Sequence, residues 1–149
     1  MTKTGRIVFS VLGASLLTAS LGAQTLDFKV VVNSANVVTA LPRETIKRMF
    51  LKKTTMWPDG QTVEPVDQHS DSVGRRAFSK TMLGRDSTEI AAYWNQLIFS
   101  GRGLPPVTKA TESEVLSYVR DKPNAIGYVT SDAKIGDGVK VVRVTADAK

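Results

Sequence analysis

Three groups of side chains in this chain have the types that chemistry needs. Asp67, His69 and Ser70 hold a carboxylate, an imidazole and a hydroxyl within four positions. Residues so close in sequence read as a polar loop rather than a nucleophilic triad, whose members are usually brought together by the fold. Asp59, Glu64 and Asp67 are carboxylates that could pair for acid–base work, although nothing in their spacing shows that they converge. Ser70, Ser72, Arg75 and Arg76 flank the entry to a helix. Hydroxyls, guanidinium groups and the free N–H groups of a first turn are what an oxyanion needs. On this reading Ser72 and the backbone of Val73 and Gly74 hold oxygens. Arg75 or Arg76 neutralises charge, and Ser70 adds a hydroxyl. The alternative for the same stretch is a surface helix with two solvated arginines, which are slightly disfavoured at the positive end of the dipole.

The elements that would position these groups follow from the pattern around them. Val63–Val66 is a short extended run, and Asp67–Ser72 is a polar turn. Val73, Ala77, Phe78, Met82 and Leu83 then recur near helical spacing. Asp71 or Ser72 is the expected N-cap and Gly84 the expected stop. Asn33 and Ser34 follow the apolar run Phe28–Val32. They are expected at the carboxyl end of a buried parallel strand, bordering the same crevice.

Other motifs of catalysis are absent. The sequence has no G-x-S-x-G elbow, no Gly-rich phosphate loop and no H-E-x-x-H. It has no cysteine and one histidine, His69, which excludes disulfides, thiolate metal sites and a histidine metal cluster. No cofactor is implied, and the reading is non-enzymatic. Basic residues are scattered, with Lys52-Lys53 and Arg75-Arg76 only as pairs, so nothing points to nucleic acid.

The N-terminus reads as a targeting segment. Lys3 and Arg6 precede the uncharged run Ile7–Leu21, and Ser20-Leu21-Gly22 supplies small residues for cleavage before Ala23. Residues 1–22 are therefore expected to be a signal peptide, with cleavage after Ala23 the near alternative. An uncleaved anchor is the rival, but Ser, Thr and Gly dilute the run below the ~20 strongly apolar residues a span prefers. The chain is then expected in the periplasm, with residues 23–149 forming one domain. Twenty basic residues less Lys3 and Arg6, against 14 acidic ones, give that domain a charge of +4.

Further along, a helix is expected over Pro42–Leu51, with Ile46, Met49 and Phe50 on one face. Trp57-Pro58-Asp59-Gly60 is a turn. Asp86…Glu89 and Thr111…Glu114 are capping boxes opening two more helices. Ile90, Tyr93, Trp94, Leu97 and Ile98 form the inner face of the first, and Val115, Leu116 and Val119 that of the second. Ala125–Val129 and Val139–Val144 read as strands, the latter near an edge, and Gly127 marks a close approach. The last five residues are expected to fray. Alternating strands and helices give an α/β domain with a mostly parallel sheet flanked by helices.

The order of motifs resembles a known family. ETIKRMFLKKTTMWPDGQTVEPV, NQLIFSGRGLPPV and NAIGYV resemble, in order, segments of the phosphate-binding proteins of bacterial ABC transporters. The resemblance covers about Phe28–Val144. It implies one lobe of a type 2 periplasmic binding protein, where the family has two, and phosphate or a similar oxyanion as ligand. The family's R-x-D-x-S-G-T motif, laid on this chain by the downstream phenylalanine, puts its serine on Ser72. Its glycine and threonine fall on Val73 and Gly74, its arginine on Gln68 and its aspartate on Ser70. Two functions follow. One is a periplasmic oxyanion-binding module of uptake or sensing. The other is a cell-envelope interaction or structural module that has kept the fold and lost the ligand, with a partner protein or a homodimer supplying the second wall.

Overall fold

The structure, a computed structural model, describes residues 26–147. The signal-peptide reading of residues 1–22 lies outside them. Six strands form one sheet in the order β2-β6-β1-β5-β3-β4. They are β1 (Phe28–Asn33), β2 (Ala40–Pro42), β3 (Glu64–Gln68), β4 (Val107–Lys109), β5 (Ala125–Thr130) and β6 (Val139–Thr145). Three of the five pairings are parallel: β2 with β6, β3 with β4, and β3 with β5. The other two set β1 antiparallel to both β5 and β6. The continuous apolar run of β1 therefore reflects burial on both faces, not a parallel partner.

Helices cover both faces because strand side chains alternate. Val30, Val32, Ile126, Tyr128 and Val142 face α1 (Arg43–Phe50), α2 (Val73–Phe78) and α3 (Ser87–Phe99). Val31, Val66, Ala125 and Val129 face α4 (Glu112–Asp121) through Val115, Leu116 and Val119. Phe50 and Trp94 are buried on the first face, as their helical spacing predicts. The two capping boxes are formed. Asp86 accepts the Glu89 amide and Thr111 the Glu114 amide, while each glutamate reaches back to the cap.

The strand β6 lies near an edge, as its sequence reads, with only the short strand β2 outside it. Two features depart from the sequence reading. The helix opened at Val73 changes pitch after Phe78 into a π turn, Ser79–Leu83, and stops at Gly84 in the left-handed region (φ 67°). The wider turn carries Met82 and Leu83 into the core. At the C-terminus, Thr145 pairs with Pro42, and Asp147 Oδ1 accepts the Glu44 amide at 2.7 Å. The tail thus caps α1, whose own N-cap, Pro42, has no side-chain acceptor.

Gly127 lets α4 approach β5. A Cβ there would lie 2.9 Å from Val66 Cγ1, 3.0 Å from Val115 Cγ1 and 3.2 Å from Val119 Cγ2. Gly127→Ala is expected to destabilise the chain by about 1–3 kcal/mol through overpacking. Urea unfolding measures this, and a variant as stable as the parent would show that α4 yields without cost.

Candidate functional site

The turn between β3 and α2 brings together more than the sequence suggests. Strand β3 ends on Asp67 and Gln68, both buried. His69, Ser70 and Asp71 turn outward, and Ser72 caps α2 by accepting the Arg75 amide at 2.9 Å. The same hydroxyl donates to Gln68 Oε1 at 2.8 Å. Gln68 Nε2 in turn donates to the Tyr128 carbonyl at 2.7 Å, tying the turn to β5. A Cβ at position 74 would lie 2.9 Å from Gln68 Oε1, so a larger residue there would have to displace the Gln68 amide.

Arg75 points inward and pairs with Asp67. Its Nη1 meets Asp67 Oδ2, and the two side chains are 10% and 9% exposed. The Tyr128 hydroxyl donates to the other oxygen, Asp67 Oδ1. Burial pushes the Tyr128 phenol above its ordinary pKa, with the nearby Arg75 charge opposing, so it remains a neutral donor at physiological pH. Among the described residues Arg75 Nε is buried without a partner. A buried guanidinium is neutralised by a carboxylate of the same chain, and that carboxylate is itself held by a phenol.

The remaining candidates occupy different surroundings. Val73 is 64% exposed and Gly74 is buried. Arg76 is exposed and donates through Nη1 to the Asp71 carbonyl at 2.5 Å. Ser70 Oγ donates to Asp71 Oδ1 at 3.3 Å, and His69 Nδ1 lies 3.6 Å from Asp71 Oδ2. No hydrogen bond joins His69 to Ser70 or Asp67 among the described residues, so the three form a loop and not a triad. The other carboxylates do not converge with Asp67. Glu64 lies 3.3 Å from Lys122 Nζ, and Asp59 accepts the Gln61 amide.

Asn33 and Ser34 are not part of this turn. Because β1 is antiparallel to β5 while β3 is parallel to it, the carboxyl end of β1 lies at the opposite end of the sheet from Gln68. There Asn33 Nδ2 donates to the Val119 and Arg120 carbonyls at 3.0 and 2.8 Å, closing the C-terminus of α4. The Ser34 amide donates to the Gly138 carbonyl.

Above the Asp67–Arg75 pair lies an open pocket of about 320 Å³. Its walls include Gln68, His69, Ser70, Trp94, Asn95 and Thr108. Sequence reasoning missed Tyr128 and gave Gln68 no role of its own. One signal was present: a tyrosine in the apolar strand AIGYV, in phase with Ile126, needs a buried partner for its hydroxyl.

No family model matches the chain, and no curated protein matches it in sequence. Solved structures do match it in fold. An ABC-type phosphate transport receptor from Vibrio cholerae aligns over 83% of this chain and 48% of its own, at TM-score 0.62 and 21% identity. A putative phosphate ABC transporter substrate-binding protein with bound phosphate, from Clostridium perfringens, aligns over 79% and 44%, at TM-score 0.63 and 21% identity. PstS from Borrelia burgdorferi aligns over 83% and 49%, at TM-score 0.62 and 11% identity. The chain thus spans about half the length of the phosphate receptors it matches, and what it shares with them is the fold of that half.

Proposed function

We propose that this chain is a non-enzymatic binding module of the cell envelope, exported to the periplasm by a cleaved signal peptide, that works through a protein partner rather than by capturing phosphate. The observation that carries the reading is the Asp67–Arg75 pair. The arginine best placed to neutralise an anion at the start of α2 already has a carboxylate on it. Ser72 is likewise taken, by Gln68 and by its own helix. A dianion entering there would meet no free buried cation and would compete with Asp67. The non-enzymatic part rests on the turn at His69–Ser72, which assembles no nucleophile and base, and on fold neighbours whose names describe receptors and binding proteins. Among the described residues no helix is long and apolar enough to cross a membrane.

A second reading keeps an oxyanion as ligand. It is favoured by the fold neighbour with bound phosphate. It is also favoured by the Val73 and Gly74 amides, which lie in the first turn of α2 before intrahelical bonding begins. Calorimetric titration of the exported chain separates the two. The interaction reading expects no heat at millimolar phosphate and a discrete cross-linked species in the periplasmic fraction. A saturable phosphate signal in the micromolar range, with the chain uncross-linked, would give the oxyanion reading instead. N-terminal sequencing of the same material is expected to begin at Ala23 or Gln24, and a retained Met1 or Thr2 would contradict export by cleavage.

A further inference from the structure

A groove of about 570 Å³ runs between the π turn and the start of α3, walled by Arg76, Lys80, Gly84, Arg85, Asp86 and Ser87 among others. Three of its residues are cations, and among the described residues none of them forms an ion pair. Arg76 is held by a backbone carbonyl, and the Arg85 guanidinium lies 5.7 Å from the centre of the Tyr93 ring. Both acids of the groove are engaged. Asp86 and Glu89 bind each other's amides in the capping box of α3. Beyond the groove Arg43 Nη1 donates to the Thr81 carbonyl at 2.6 Å, which brings another cation to the π turn. The change of pitch matters here. It follows directly on Phe78 and sets Lys80 and the Gly84 turn, with Arg85 after it, against the start of α3.

We infer that this groove is a docking site for an acidic, Asp/Glu-rich segment of a partner protein. The inference rests on the interaction reading above and names the partner's chemistry. Charge complementarity is the argument. Cations lacking carboxylate partners steer and orient an acidic chain, and Arg forks suit carboxylates. The volume is that of a site for a ligand of many atoms rather than one oxyanion. A concave wall suits an extended segment better than a flat lipid surface.

The test uses fluorescein-labelled decaglutamate and the exported chain, followed by anisotropy at low and physiological salt. The parent is expected to saturate. The triple variant Arg76→Gln, Lys80→Gln, Arg85→Gln should bind roughly tenfold more weakly, while a control of equal charge, Lys52→Gln, Lys53→Gln, Lys134→Gln, should stay within about twofold. Equal weakening in both triples, or no saturation by the parent, overturns the inference. So does preferential binding of pyrophosphate or of vesicles containing anionic phospholipid, lost in the first triple alone. Periplasmic cross-linking distinguishes the two levels of the argument. If the first triple still captures the parent's partner, the groove is not its dock and the interaction reading stands. If neither captures a protein, that reading fails as well.

Discussion

Asp67→Ala should unfold at markedly lower urea than the parent, a loss of about 3–5 kcal/mol. The carboxylate is buried, and removing it leaves the buried Arg75 guanidinium with no counter-charge. It also strips the Tyr128 hydroxyl of its acceptor. A loss that size is a large share of the 5–15 kcal/mol that holds typical domains together. The single variant therefore needs a companion. Asp67→Leu with Arg75→Met removes both charges at once and should recover most of the loss, because a buried ion pair is worth little against apolar packing of similar volume. A single variant within about 1 kcal/mol of the parent would mean that Arg75 swings readily to solvent. The site would then be open in solution.

Phe78→Ala should cost a similar amount, about 3–5 kcal/mol. Phe78 has no exposed surface and stacks on Tyr128 with ring centres 3.9 Å apart and planes 1° from parallel. Phe50 tilts against it at 4.6 Å and Phe28 meets it edge-on at 5.3 Å. The effect reaches beyond the core, since this stack holds the ring whose hydroxyl binds Asp67. Phe78→Leu keeps most of the volume and should lose much less. If Phe78→Ala loses under about 1.5 kcal/mol, the cluster repacks around the hole and does not fix Tyr128.

Much of the architecture was legible because it is encoded locally. Asp86 and Glu89, or Thr111 and Glu114, announce a helix start within four residues. Gly127 announces a close approach because nothing else fits against three valines. The strands β2 and β4 were not legible. Each has three residues, one ending on Pro42 and the other following a Pro-Pro pair, too short for periodicity to register. The direction of β1 was hidden for a different reason. An apolar run says that both faces are covered and says nothing about how the neighbours run. That one reversal moved Asn33 and Ser34 to the far end of the sheet.

The site was legible in outline and not in its wiring. Ser72 reads as a cap, and it is one. What cannot be read from spacing is which way Arg75 turns. Asp67 and Arg75 are eight residues apart, across a strand end, a loop and a first helical turn. Only the packed turn decides that the guanidinium meets the carboxylate and not water. Gln68 occupies the space beside Gly74 for the same reason, and no pattern in the sequence announces it.

The central claim is that the start of α2 is already neutralised by the chain's own carboxylate. Nuclear magnetic resonance titration of the uniformly ¹⁵N-labelled exported chain with inorganic phosphate tests it directly, by following the amides of Ser70–Arg76. The account predicts no saturable shift of these amides up to millimolar phosphate in the parent. Saturable shifts centred on Ser72, Val73 and Gly74 at micromolar phosphate, with Asp67 and Arg75 intact, would contradict it.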